Sequence, residues 1–126
     1  MKYTVQITEY NDDFEFLLNI KIHNRTLLVF SSSIPFPIDF KKNYIVDLEA
    51  IVFDEYVVEQ ITSSPQIRQI DDSLQYEIIG FLDNGKIKTN DLIFEDSILK
   101  INFSYLDQTI VKWRVDRISV DFETNH

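Results

Sequence analysis

A chain of 126 residues that is 44% hydrophobic and carries a net charge of −9 has the size of one domain and enough apolar residues for a packed core. It has no cysteine, which excludes disulfides, thiol catalysis and Cys-based zinc sites. No apolar run approaches the roughly 18 residues needed to span a membrane as a helix. The two histidines, His23 and His126, are far apart in sequence, so no histidine-rich metal site is expected and no cofactor is implied.

The acidic excess is shared along the chain. The first 63 residues carry 5 Lys/Arg against 10 Asp/Glu, and the last 63 carry 7 against 11. A field of this sign repels phosphate backbones and anionic membranes and draws in cationic partners. Plain solubility is the alternative explanation.

Ile, Val, Thr, Phe, Tyr and Trp make up 51 of 126 residues, and Ala50 is the sole alanine. Strand formers therefore dominate and the best helix former is nearly missing. In chain order, Tyr3, Val5 and Ile7 alternate with polar residues. The opening "MKYTVQITEYNDD" lacks the apolar core and cleavage site of a signal peptide, so a cytoplasmic location is expected. Phe14, Phe16, Leu18, Ile20 and Ile22 predict a second, longer strand. "HNR" at 23–25 predicts a turn and "TLLVF" at 26–30 the return strand. "SSSIPFPIDFKKN" at 31–43 predicts a long loop, because its prolines exclude a central strand. From Tyr44 the alternation resumes, with Tyr44, Val46, Leu48, Ala50 and Val52 on one face.

"DEYVVEQI" at 54–61 fits a strand or a short helix, and "IRQIDD" has no clear state. "SLQYEIIGFL" alternates on Leu74, Tyr76, Ile78 and Leu82, with Gly80 marking a bulge or a close backbone approach. Asn84-Gly85 predicts a tight hairpin. "ILKINFSY" alternates on Leu99, Ile101, Phe103 and Tyr105, and predicts a strand paired with 111–115, with Phe103 opposite Trp113 and Lys100 opposite Asp116. In "IVKWRVDRISVDFE" the apolar phase slips at Asp116-Arg117. A strand cannot change faces unless a residue is added or the strand ends, so a bulge and a corner are expected there. These patterns predict a single all-β domain over residues 1–126, a small antiparallel barrel or sandwich of roughly 8–10 short strands with little helix.

No catalytic, metal or phosphate-binding motif emerges. The acidic doublets Asp12-Asp13, Asp54-Glu55, Asp71-Asp72 and Glu95-Asp96 fall at strand ends, without the spacing of calcium or glycosidase sites. Ser31-Ser32-Ser33 lacks the glycines of a nucleophile elbow, and His23 falls at the far end of the hairpin leading to it. The apolar loop Ile34-Pro35-Phe36-Pro37-Ile38 has two readings, a stiff interface centre or a plug over a barrel end. The chain is therefore expected to be a small acidic non-catalytic protein-binding domain, such as an inhibitor or immunity protein that neutralises a basic toxin or enzyme. Ile34, Phe36, Ile38, Asp12, Asp13, Asp71 and Asp72 are the expected contact residues. The alternative is a small OB-like barrel that binds single-stranded nucleic acid through the basic C-terminal strands, which carry Lys86, Lys88, Lys100, Lys112, Arg114 and Arg117.

Overall fold

The computed structural model describes residues 1–123, so His126 lies outside the described residues. The chain divides into two compact units. One is Met1–Glu49 together with the chain from Ile118 onward, and the other is Ala50–Arg117. The all-β expectation holds. Among the described residues there are eleven strands, β1 Lys2–Tyr10, β2 Leu17–Ile22, β3 Arg25–Phe30, β4 Tyr44–Ile51, β5 Val57–Gln60, β6 Gln66–Gln69, β7 Tyr76–Asp83, β8 Lys86–Lys88, β9 Ile93–Glu95, β10 Ile110–Val115 and β11 Arg117–Phe122. One short helix, α1, spans Ser97–Asn102, and a 3-10 turn follows at Ser104–Leu106.

In the first unit, β1, β2, β3, β11 and β4 close into a barrel in that order. The β1/β2, β2/β3 and β1/β4 pairs are antiparallel, whereas β3 and β11 are parallel. The last strand thus lies between the third and the fourth. Five-stranded Greek-key barrels of this kind include the OB-fold. Period-2 patterning fills the interior. Leu18, Ile20 and Ile22 of β2, Tyr44, Val46 and Leu48 of β4, and Ile118, Val120 and Phe122 of β11 are buried. Their sequence neighbours are more exposed and face outward.

The second unit is a six-stranded sheet in the order β5-β10-β7-β8-β9, with β6 pairing with β7. The ambiguous "DEYVVEQI" supplies β5 and "IRQIDD" contributes to β6. Trp113 is fully buried in β10, opposite Val58 of β5 and Ile78 of β7.

Three expectations are corrected. First, "ILKINFSY" is not a strand. Asp96 takes an extended backbone, and its Oδ1 accepts from the Ile98 and Leu99 amides at 2.8 and 3.0 Å. That side-chain cap supplies orphan donors of the first turn and starts α1. Phe103 consequently does not pair with Trp113 across a sheet; instead the Tyr56 ring stacks on both, at 6.0 Å from Trp113 and 6.2 Å from Phe103. Second, the expected pairing of Lys100 with Asp116 is not formed. Asp116 Oδ2 accepts the Phe53 amide at 2.7 Å, and Arg114 donates to Gln75 Oε1 at 3.1 Å. Third, β2 begins at Leu17, so Phe14 and Phe16 lie in a turn rather than a strand.

The bulge expected at the phase slip is replaced by a break between two strands. β10 ends at Val115, Asp116 is a bend, and β11 starts at Arg117 in the other sheet. The chain changes faces because one strand ends and another begins. The Asp116 amide donates to the Ile51 carbonyl at 2.8 Å, which, with the Phe53 bond, ties the two ends of the second unit together.

Candidate functional site

Two neighbouring loops of the barrel unit carry the most exposed aromatic surface in that unit. The first is residues 11–16, between β1 and β2. Asn11 Oδ1 accepts the Asp13 amide at 2.9 Å, and its carbonyl accepts the Phe14 amide at 3.1 Å. Asn thereby closes a turn on itself, as its short amide side chain favours. The turn ends with Phe16 in the left-handed region at φ 69°. A non-glycine residue there is uncommon and must be held by its surroundings. The Phe16 ring packs 5.5 Å from Phe30, and the Phe16 carbonyl accepts the Ser31 amide at 2.8 Å.

The second loop runs from Ser31 to Asn43. Ser33 Oγ donates to Asp121 Oδ1 at 2.9 Å and accepts the Phe122 amide at 2.9 Å. The Ser33 amide donates to Ser31 Oγ at 3.1 Å. At the other end, the Asp39 amide donates to the Tyr44 hydroxyl at 3.0 Å and the Lys41 amide to Asp39 Oδ1 at 2.9 Å. The serine run is thus an anchor. The loop is tied at both ends, and the Phe36-Pro37 peptide within it is cis.

Between its anchors the loop projects Phe36, which is 62% exposed, while Ile34 and Ile38 are half-buried. The Tyr10 ring meets Phe36 edge to face at 5.3 Å. Tyr10, Glu15, Phe16, Ile34 and Phe36, with Ser31 and Ser32, line a cleft of about 220 Å³. Phe14 is 58% exposed and Phe16 40%. The two loops therefore form one surface in which aromatic rings stand among Asp12, Asp13 and Glu15, all exposed.

The expected contact residues are distributed as follows. Phe36 and Ile34 line the cleft, Ile38 continues the same loop, and Asp12 and Asp13 lie on the turn between Tyr10 and Glu15. Asp71 and Asp72 occupy the turn before β7 in the second unit. Sequence reasoning missed Tyr10, Phe14, Glu15 and Phe16. Alternation carried the strand back through both phenylalanines, although Asn11-Asp12-Asp13 was the turn signal that should have stopped it.

His23, at φ 54° in the β2–β3 turn, is separated from Ser31 by the full length of β3. Of the basic residues of the C-terminal third, Lys86, Lys88, Lys100, Lys112 and Arg114 belong to the second unit, and Arg117, the last residue of that unit, opens β11 of the barrel. Two are paired with carboxylates. Lys112 Nζ is 2.8 Å from Glu59 and 3.5 Å from Glu77, and Lys88 Nζ is 2.8 Å from Asp83. Glu59 holds the Lys112 ammonium above its ordinary range, through a hydrogen bond and its charge. A hydrogen bond from Arg68, helped by Lys112, holds the Glu77 carboxyl below its ordinary range. Among the described residues no group of three or more His, Cys, Asp or Glu is arranged to hold a metal ion, and no helix is long and apolar enough to cross a membrane.

No curated protein and no solved structure matches the chain. The profile of one family matches residues 1–123, nearly the whole length, and the chain belongs to that family, described as uncharacterised conserved protein UCP019853.

Proposed function

We propose that this chain is a non-catalytic protein-binding domain, of the inhibitor or immunity-protein kind, whose interface is the two-loop surface of the barrel unit and whose partner presents a basic face. One observation carries the reading: Phe16 and Phe36, at 40 and 62% exposure, line one cleft with Glu15, and the turn that supplies Phe16 and Glu15 also exposes Phe14, Asp12 and Asp13. Exposed aromatic anchors gain most when a partner desolvates them. A ring of carboxylates selects a cationic partner and speeds the encounter. The anchoring of the Ser31–Asn43 loop at both ends adds to this, since an ordered loop loses little entropy on binding.

Fold analogy alone would point toward nucleic acid, because OB-type barrels bind oligonucleotides and oligosaccharides around the loop that joins their first two strands. Fold does not carry function by itself. Here that loop bears Asp12, Asp13 and Glu15, so a phosphate backbone would meet repulsion where such barrels take their ligand. Of the basic side chains that motivated the alternative, all but Arg117 lie on the second unit's own elements, two of the set, Lys88 and Lys112, are paired to carboxylates, and Trp113 is buried.

The test is capture from the native host with wild type and Phe36→Ala as paired baits. The reading predicts a basic protein retained by the wild type and lost from the variant. Retention that Phe36→Ala does not alter, or an acidic partner, overturns it, as does sub-micromolar binding of single-stranded DNA or RNA at about 50 mM salt.

A further inference from the structure

We propose that the cleft between the two loops is a receptor for a single cationic side chain of the partner, arginine in preference to lysine. The proposal rests on the interface reading above and specifies what that interface takes.

The size of the cleft limits its occupant. At about 220 Å³ it falls below the roughly 300 Å³ at which small-molecule pockets begin, and it suits one side chain. Its walls define the chemistry. Tyr10 and Phe36 meet at 5.3 Å with ring planes 77° apart, and both rings line the cleft. Phe16 and Ile34 add apolar surface, and Glu15 adds a carboxylate. No basic residue occurs from Glu9 to Phe16, whereas Glu9, Asp12, Asp13 and Glu15 do.

These features together select one kind of guest. An apolar side chain would satisfy the rings but strip water from Glu15 without replacing its hydrogen bonds. An anion would face the carboxylates. A cation is attracted by ring faces and by the carboxylate alike. Guanidinium suits the site better than ammonium. It is flat, more weakly hydrated, stacks on aromatic faces and can fork to a carboxylate. The chain already makes such a contact within its second unit, where the Arg117 guanidinium lies 4.9 Å from the centroid of the Phe53 ring.

Because Glu15 and Phe36 are both exposed, their replacement leaves the barrel core intact. The test is an NMR titration of the isotope-labelled chain with Nα-acetyl-arginine amide, Nα-acetyl-lysine amide and Nα-acetyl-norleucine amide. Arginine amide should give saturable shifts at Tyr10, Phe16, Ile34 and Phe36, with a Kd of order 1–10 mM for so small a ligand. Lysine amide should bind more weakly, and norleucine amide should give no saturable shift. Glu15→Gln and Phe36→Ala should each weaken arginine binding by about fivefold or more.

Equal response to norleucine amide, no saturation by arginine amide at about 50 mM, or arginine binding unaffected by Glu15→Gln would overturn the proposal. None of these readouts needs the partner. Capture of a basic partner beside a silent titration therefore sinks the cation receptor alone. A saturable titration beside failed capture sinks the protein-interface reading and leaves a site for a free organic cation.

Discussion

The Tyr56 hydroxyl donates to Asp96 Oδ2 at 2.7 Å, while the other oxygen of the same carboxylate accepts the Ile98 and Leu99 amides. One side chain thus starts the only α-helix among the described residues and fixes the ring that stacks on Trp113. Tyr56→Phe removes one hydrogen bond and should cost about 1 kcal/mol. Asp96→Ala removes the cap and also strands the hydroxyl, and should cost about 2–3 kcal/mol. The double variant should fall short of the sum, because both changes break the same bond. Urea unfolding of the four proteins measures this directly; full additivity would mean that the hydroxyl bond contributes nothing.

The same pair sets an alkaline limit. Burial first, and then the Asp96 acceptor, push the Tyr56 hydroxyl well above its ordinary value near 10. The unfolded chain therefore loses this proton at lower pH than the folded chain. The contribution is complete below about pH 10 and is lost as the pH rises from there toward the folded-state value. Phenolate absorbance should show one tyrosine titrating last, close to alkaline unfolding. Tyr56→Phe should remove that step and leave the others in place.

Gly80 lies where no side chain fits. A Cβ built there would meet the Lys88 carbonyl oxygen at 2.6 Å and Ile87 Cγ2 at 2.9 Å. Both belong to β8, paired with β7 on that side. Gly80→Ala should therefore destabilise by about 1–3 kcal/mol, despite the better strand propensity of alanine. Thermal melting reads the effect, and a neutral or stabilising result would show that β8 yields readily.

Acid should act partly through Glu77. Its side chain is only 19% exposed, and its carboxyl is paired with Arg68 and Lys112. Arg68 first, and Lys112 after it, depress its titration, so the contribution is present above the ordinary glutamate value near 4.3 and fades as the pH falls through the lowered folded-state value. Glu77→Gln should cost about 1 kcal/mol at pH 7, modest because both cations are partly solvated. The gap between wild type and variant should close once the pH falls below the lowered folded-state value. A constant gap across that range would assign the loss to packing instead.

How legible the chain was in its sequence depended on how local each signal is. Asn84 and Gly85, both at positive φ, form the tight turn that their residue types require. The slip at Asp116 marked the boundary between two strands, since period 2 admits no other reading than an added residue or an end. Gly80 proved to be a close approach rather than a bulge. The failures share one cause, in that alternation is necessary for a half-buried strand but does not prove one. Leu99, Ile101, Phe103 and Tyr105 alternate, yet Ile101 and Tyr105 are 72% and 74% exposed, because the Asp96 cap turned the backbone into a helix. Phe14 and Phe16 alternate with Leu18 and still belong to a turn closed by Asn11. Capping and turn chemistry overrode the apolar pattern in both places, and the second of these put two rings into the candidate site.

The interface itself should separate into two kinetic signatures. Asp12 and Asp13 are exposed charges beside the cleft, and they act while the partner is still approaching. Reversing both to Lys should slow association by about three- to tenfold at low salt and flatten its salt dependence, with dissociation little changed. Phe36 acts after contact, when its exposed ring is desolvated, so Phe36→Ala should speed dissociation by tenfold or more, equivalent to about 1.4 kcal/mol, and leave association nearly unchanged. Asp71 and Asp72 lie outside the two loops, in the turn before β7, and their reversal is the comparison for steering by net charge. Stopped-flow or surface-based kinetics against the captured basic partner would resolve the three variants. If reversal at Asp71 and Asp72 slows association as much as reversal at Asp12 and Asp13, steering comes from net charge alone. If in addition Phe36→Ala leaves dissociation unchanged, the two-loop surface is not the contact.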